Sequence, residues 1–256
     1  MLLELNNIKD QIIANCEEID FVEACGLLCK EGDVFFVVKA DNIADNPFDN
    51  FIISNQFIEE IAKTKQIVGY YHSHNSGNAE PSIEDLAVIS KLNLTCIIYD
   101  KLSKTITETN PPAEPFIPPY ENRPFIAGIL DCSELIRDYY YKSLNITLPK
   151  LDHPIKYMSW KEIREKWNKL QHYNKQDYNF YLDYFLNNGF REISKEELNK
   201  NDIILIRTRE IKAPIHALIY MGNNNILHHQ SDRLSRYEDY APFYRKLSVK
   251  YVTYKV

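Results

Sequence analysis

The stretch Ile67–Leu86 reads IVGYYHSHNSGNAEPSIEDL, and its skeleton is His72-x-His74, seven residues, then Ser82-x-x-Asp85. The apolar run from Ile67 to Tyr71 predicts a β-strand, on which positions i and i+2 share a side. Both imidazoles therefore point the same way at the strand's end. A loop of Asn, Ser, Gly and Pro follows, and Pro81-Ser82 opens a helix with Ser82 as its N-cap. Asp85, one turn in, can swing back toward the strand. Ser-x-x-Asp is also an ordinary helix-start box, and His-x-His alone is a weak signal. Together at this spacing they point to Zn2+ held by His72, His74 and Asp85. Two imidazoles and one carboxylate leave a fourth tetrahedral position for water, as catalytic rather than structural zinc requires.

The combination resembles the JAMM motif of the MPN (JAB1/Mov34) metalloprotease domain, a Glu followed by His-x-His-x7-Ser-x-x-Asp. Upstream, EACGLL (Glu23–Leu28) leads through a turn at Glu31-Gly32-Asp33 into a strand at Val34–Lys39, a hairpin pattern. In that family a Glu sits just before a Gly-Leu-Leu-like strand. The resemblance therefore makes Glu23 the general base that takes a proton from zinc-bound water. It also implies that the Ser82 hydroxyl helps hold the tetrahedral oxyanion while capping its helix. Cys25 shares Glu23's strand side but is assigned to the core, the usual place of an unpaired cysteine.

Composition narrows the classes. A chain of 256 residues can bury two cores, and 26% charged with 45% hydrophobic residues is an ordinary globular balance. A net charge of −6 with both signs mixed argues against nucleic acid as a partner. Five cysteines without a CxxC pair suit a reducing compartment of synthesis. The N-terminus has no signal-peptide pattern and no apolar run is long enough for stable membrane insertion. The expectation is a protein made soluble in the cytoplasm.

Before the motif, Asn7–Ile19 has helical apolar spacing and Ser54–Gln66 reads as an amphipathic helix capped by Ser54; after it, Thr95–Tyr99 is a short buried strand. ETNPPAEPFIPP (residues 108–119) carries five prolines, a density that reads as an extended, semi-stiff linker. The expected domains are 1–107, the linker 108–119, and 120–256.

The second half holds Asp131-x-x-Glu134, a capping box that sets Cys132 at the first position of a helix running to about Ser143. A thiol there feels the positive end of the helix dipole, which favours the thiolate. Strands are expected at Asn201–Ile206, Ile215–Asn223 and Ile226–His229, with a tight Gly222–Asn225 turn bringing His216 and His228 together. Cysteine, a base histidine and a second histidine orienting the first follow the logic of papain-like catalysis.

This half resembles the NlpC/P60 cysteine peptidase family through its DCS helix start, its HALIYMGN strand and the ILH after it. The resemblance makes Cys132 the nucleophile, His216 the general base and His228 the orienting residue. It also sets Tyr120, twelve positions before Cys132, on the oxyanion side, although Glu121-Asn122-Arg123 replaces the usual Trp-Gly-Gly. Asn201-Asp202 replaces the usual Gly-Asp turn. His153, His172 and His229 read as surface or loop residues. Ser159–Tyr184, rich in Trp and Tyr, reads as helices capping the papain-like core, with an aromatic gripping surface as the other reading.

A JAMM domain followed by an NlpC/P60 domain is similar to the tail assembly protein K family of long-tailed bacteriophages. RPFIAGILDCSELIRDYY and ILHHQSDRLSRYEDY look like that family's own versions of those segments. The implied fold class is α+β in two domains, an MPN zinc domain and a papain-like NlpC/P60 domain. The implied protein is a tail-tip hydrolase. Its zinc site would act on an isopeptide or peptide bond. Its cysteine site would cut peptidoglycan stems next to D-γ-glutamyl linkages. Implied partners are other tail-tip proteins, and the implied route runs from host cytoplasm to virion tail tip to cell wall or periplasm. The rival readings are a non-catalytic assembly factor and a deubiquitinase-like isopeptidase.

Overall fold

The structure, a computed structural model, describes residues 6–151, 179–207, 213–231 and 233–255. Of the aromatic helices expected over Ser159–Tyr184, residues 159–178 lie outside them, as do His153 and His172. The chain forms two compact units, Met1–Phe116 and Ile117–Val256.

The first unit runs α1 (Asn6–Glu17), β1 (Cys25–Glu31), β2 (Val34–Ala40), α2 (Asn55–Ala62), β3 (Gln66–His74), α3 (Ile83–Leu92), β4 (Thr95–Asp100) and β5 (Thr105–Thr109). Its sheet order is β2-β1-β3-β4-β5, with β3 and β4 parallel around α3 and every other pair antiparallel. Strand alternation sorts the core. Tyr71, Leu28 and Ile97 pack under Ile8, Ile12 and Cys16 of α1, whereas Tyr70, Leu27 and Ile98 pack with Ile89 of α3 and Phe57 of α2. His72 and His74 continue the Tyr70 side, so both histidines face the element that carries Asp85. Gly26 of the EACGLL stretch is required by close approach, since a Cβ there would lie 2.4 Å from both the Tyr71 ring and the Val38 carbonyl oxygen. The Ser54 hydroxyl accepts the Phe57 N–H as expected. The helix nevertheless stops at Ala62: Thr64 and Lys65 fold their N–H groups back onto the Ile61 carbonyl, and Gln66 already opens β3.

The second unit runs α4 (Cys132–Leu144), α5 (Phe180–Asn187), β6 (Phe190–Ile193), β7 (Ile203–Ile206), β8 (His216–Gly222), β9 (Asn225–His228), β10 (Arg236–Asp239), α6 (Pro242–Leu247) and β11 (Ser248–Tyr254). The sheet order is β10-β9-β8-β7-β11-β6, all antiparallel. One side (Ile203, Leu205, Ala217, Ile219, Leu227) packs against α4 and α5, and the other (Ile204, Ile206, Leu218, Ile226) against Tyr240 and Tyr244. Asn223 and Asn224, both with positive φ, make the two-residue turn between β8 and β9. Asn201 has φ +78° and so takes the left-handed conformation of the glycine it replaces, while its side chain accepts from the Tyr139 hydroxyl at 2.7 Å.

The proline-rich segment is tied down more closely than the extended, semi-stiff linker expected over 108–119. Glu108 and Thr109 belong to β5, and the Phe116 N–H donates to Ser90 Oγ of α3 at 2.8 Å. Beyond the boundary, Arg123 donates to the Pro118 and Pro119 carbonyls and to Asp138, all at 2.7 Å. Proline removes a donor but keeps its carbonyl, so a buried guanidinium can bind the run. Arg123 and Asp138 form an ion pair inside the second unit with side chains 1% and 5% exposed. Asp138→Ala leaves that cation without its counter-charge and should destabilise the second unit by about 3–5 kcal/mol. Denaturant unfolding checks it, with a loss under about 1 kcal/mol assigning the pair no structural weight.

Candidate functional site

In the first unit, the end of β3 and the start of α3 bring the three expected metal ligands together. His72 Nε2 and His74 Nε2 are 3.0 Å apart, and Asp85 lies 3.3 Å from the first through Oδ1 and 3.5 Å from the second through Oδ2. Other groups occupy the far nitrogens: His74 Nδ1 lies 3.3 Å from the Asn78 carbonyl oxygen and His72 Nδ1 3.7 Å from Cys96 Sγ. With Nδ1 engaged, each ring turns its Nε2 inward, the second-shell arrangement of metal-bound histidines. Donors at zinc distance in a tetrahedron lie roughly 3.3 Å from one another. The observed spacings fit that set. Phe51 stacks on His72 with centroids 4.4 Å apart, and Asp100 fixes the loop after His74 by accepting the Ser76 and Gly77 N–H groups at 3.0 Å each.

Asp85 is also half of a realised capping box. Its Oδ2 accepts the Ser82 N–H at 2.9 Å and the Ser82 hydroxyl at 2.7 Å, and its own N–H donates to Ser82 Oγ at 3.0 Å. The Ser82 hydroxyl proton is thus engaged by Asp85. Burial acts to raise the Asp85 pKa, but the two imidazoles outweigh it and hold the carboxyl well below the usual range. For His74, burial acts to lower the pKa and Asp85 carries it above the ordinary value. Glu23 is buried, and burial lifts its carboxyl to about 8, with His74 lowering it and Asp85 raising it. Its backbone is locked beside the site, because Ala24 and Ser73 exchange hydrogen bonds of 2.8 and 2.9 Å. Cys25 is buried in the core.

In the second unit, Asp131 caps α4 and sets Cys132 at its first position. Asp131 Oδ1 accepts the Ser133 and Glu134 N–H groups at 2.9 and 3.0 Å, and Oδ2 accepts the Gly128 N–H at 2.7 Å. The expected reciprocal half of the box is replaced: Glu134 is bound by Arg137 at 2.6 and 2.7 Å, because the i, i+3 guanidinium offers a charged partner. Favoured thiolate formation at Cys132 is also corrected. Burial pushes the thiol up to about 12, Asp131 adds to the rise, and the Tyr181 hydroxyl with the Ala217 and Ser133 N–H groups offsets little of it. Desolvation outweighs the helix dipole.

His216 and His228 meet as expected, with His216 Nε2 3.4 Å from His228 Nδ1. His228 Nε2 in turn donates to Glu238, which also accepts from Tyr244 at 2.5 Å and from Arg236 at 3.0 Å. The carboxylate fixes the tautomer. If His228 donates from Nε2, its Nδ1 must accept from His216 Nε2–H, and His216 Nδ1 is left as a free base. Burial holds His216 well below its ordinary pKa, and neighbouring His228 and His229 depress it further. Burial likewise lowers His228 against the pull of Glu238. The structure does not hydrogen-bond Cys132 to His216 among the described residues; Sγ meets the Tyr181 hydroxyl at 3.2 Å. Ala217, the next residue, is the strand's contact with α4, so alternation sends the His216 ring off the other side of the pleat.

Two expectations fail here. The Tyr120 hydroxyl pairs with Ser143 Oγ at 2.9 Å, in the last turn of α4 and at the opposite end from Cys132. His229 is fully buried, not at the surface: its ring packs T-shaped with Phe125, and burial lowers its pKa to about 4. Sequence reading also missed Glu238, Tyr181, Phe51, Cys96 and Asp100. For Glu238 a signal existed, since β-alternation at Arg236-Tyr237-Glu238 sets a carboxylate on the His228 side of the next strand. For Tyr181 there was none.

The chain thus sets a cysteine at a helix start and a histidine pair on the sheet of the same unit, preceded by a His-His-Asp cluster. Residues 121–254 match the NlpC/P60 family model and residues 6–111 match prokaryotic homologs of the JAB domain. The chain belongs to the NlpC/P60 family and joins to it a JAB-like first domain. It is a homologue of the Tail tip assembly protein K of Escherichia phage N15, 25% identical over 233 residues that cover 91% of this chain and 88% of that protein. Among solved structures, a JAB1/MPN domain protein of Archaeoglobus fulgidus is 20% identical over 40% of this chain and 80% of its own (TM-score 0.27). An NLP/P60 family protein of Staphylococcus aureus is 15% identical over 81% and 51% (TM-score 0.33).

The raised thiol makes a direct prediction. The thiolate is the nucleophile, so alkylation of Cys132 by iodoacetamide in the folded protein should climb about tenfold per pH unit from 7 to 9. Peptide-resolved mass spectrometry reads the rate, and a plateau at or below pH 7 would contradict the burial effect.

Proposed function

We propose that this chain is a phage tail-tip hydrolase with two centres, a cysteine endopeptidase of peptidoglycan stems and a zinc (iso)peptidase. The observation that carries the reading is the ordered array His216–His228–Glu238 on the sheet beside Cys132 at the start of α4.

In the cysteine centre, His216 Nδ1 takes the Sγ proton as sulfur attacks the stem-peptide carbonyl. The S–C bond forms and the carbonyl electron pair moves to oxygen. Collapse breaks the C–N bond, and the leaving amine takes the proton back from His216. Water then hydrolyses the thioester, with His216 as base for the water and acid for the departing sulfur. Glu238 and His228 hold the base in its tautomer throughout. Catalytic hydrogen bonds are often long before substrate binds. On this reading the His216 ring must turn toward Cys132 Sγ when the stem peptide binds.

In the first unit, His72, His74 and Asp85 would hold zinc, which supplies a Lewis acid and a water of lowered pKa. Glu23, whose carboxyl burial lifts to about 8, would take and return the proton. The Ser82 hydroxyl can turn to a developing oxyanion once it leaves Asp85. The partners this reading supports are other tail-tip proteins and peptidoglycan peptide, with assembly in host cytoplasm and action at the cell wall or periplasm. No described helix is long and apolar enough to cross a membrane.

Muropeptide release from sacculi of several peptidoglycan chemotypes tests the reading, comparing wild type, Cys132→Ala and His74→Ala. Release should vanish in Cys132→Ala and persist in His74→Ala. Loss in both variants would make the zinc centre part of the same activity. No release from any chemotype by folded, zinc-loaded protein would overturn the peptidase reading in favour of a non-catalytic assembly role.

A further inference from the structure

We infer that Tyr181 is a catalytic residue of the cysteine centre, donating its hydroxyl hydrogen bond to the oxyanion of the tetrahedral intermediate. The inference rests on the proposed role of Cys132 as nucleophile.

Four observations converge. Tyr181 Oη lies 3.2 Å from Cys132 Sγ, the reacting atom. The oxyanion forms on the carbon bonded to that sulfur, about 3 Å from it, so a donor touching Sγ is within reach of the oxygen. The start of α4 does not supply a full set of donors, because the Ser133 and Glu134 N–H groups are held by Asp131 Oδ1. Tyr120, the tyrosine expected on the oxyanion side, is held by Ser143 at the other end of the helix.

The position of the Tyr181 hydroxyl is fixed rather than sampled. The residue is 4% exposed, lies in the core of the second unit with Cys132, Leu182 and Phe185, and packs edge-on against Phe180. Preorganisation of this kind gives an oxyanion donor its effect, since no reorientation is needed as charge develops. Burial also keeps the phenol protonated far above neutral pH, so it remains a donor. In the resting protein the hydroxyl lies against the sulfur. As the S–C bond forms and charge moves to the carbonyl oxygen, the same O–H shifts to the oxyanion without giving up its proton. When the intermediate collapses and the C–N bond breaks, it returns.

The test uses the full chain with a purified disaccharide-tetrapeptide muropeptide, measuring kcat and KM for wild type, Tyr181→Phe and Cys132→Ala. Tyr181→Phe keeps the ring and removes the donor, and kcat should fall about 10²-fold with KM within threefold. A second variant carrying 3,5-difluorotyrosine at 181, a stronger donor of nearly the same shape, should restore kcat to the wild-type level or above. Tyr181→Phe within twofold of wild-type kcat, alongside an inactive Cys132→Ala, would overturn the oxyanion role and leave the nucleophile standing. A difluorotyrosine protein as slow as the Phe variant would overturn it as well. An active Cys132→Ala, or a wild type with no turnover, would take down the cysteine reading and this inference together.

Discussion

A buried helix start leaves N–H groups without partners, and in both units the side chain that satisfies them also builds the site. Asp85 shows it most compactly. Its Oδ2 takes the Ser82 N–H and hydroxyl, which closes the capping box and fixes the carboxylate's angle. The same carboxylate then faces both imidazoles from 3.3 and 3.5 Å. Asp131 does the equivalent for α4: by holding the Ser133 and Glu134 N–H groups it sets where the helix begins, and so where Cys132 points. Without these caps Asp85 and Cys132 would sit on fraying turns.

The two centres handle charge in opposite ways. In the first, a carboxylate between two imidazoles is held ionised against burial, while Glu23 nearby is pushed up to about 8. Two carboxyl groups forced apart in this way can take different roles in one site. In the second, Cys132, His216 and His228 are all displaced toward their neutral forms. With its thiol pushed up to about 12, Cys132 stores no thiolate near neutral pH.

Much of this was legible in the sequence, for reasons that can be named. His72, His74, Ser82 and Asp85 lie within fourteen residues, where strand alternation and helix capping dictate geometry locally. His216 and His228 are joined by one two-residue turn, so their meeting followed from hairpin register. What stayed hidden depended on distant packing. Tyr181 reaches Cys132 across 49 positions of chain, and its neighbourhood is set by how α5 lies on the sheet. Arg123 looked like a lapse from the Trp-Gly-Gly pattern and is instead the buried cation that binds the Pro118 and Pro119 carbonyls. His229 read as a surface or loop residue from the general burial habit of histidine, and its burial involves Phe125, about a hundred residues earlier.

The most direct test of the account is X-ray absorption at the zinc edge of the purified, zinc-loaded chain. Two imidazole nitrogens with oxygen ligands at about 2.0–2.1 Å are expected, and Asp85→Ala should abolish stoichiometric zinc. A scatterer at about 2.3 Å would mean a cysteine sulfur in the first shell. Cys96 would then be a ligand rather than the partner of His72 Nδ1, and the cap-to-metal geometry argued from Asp85 would be wrong.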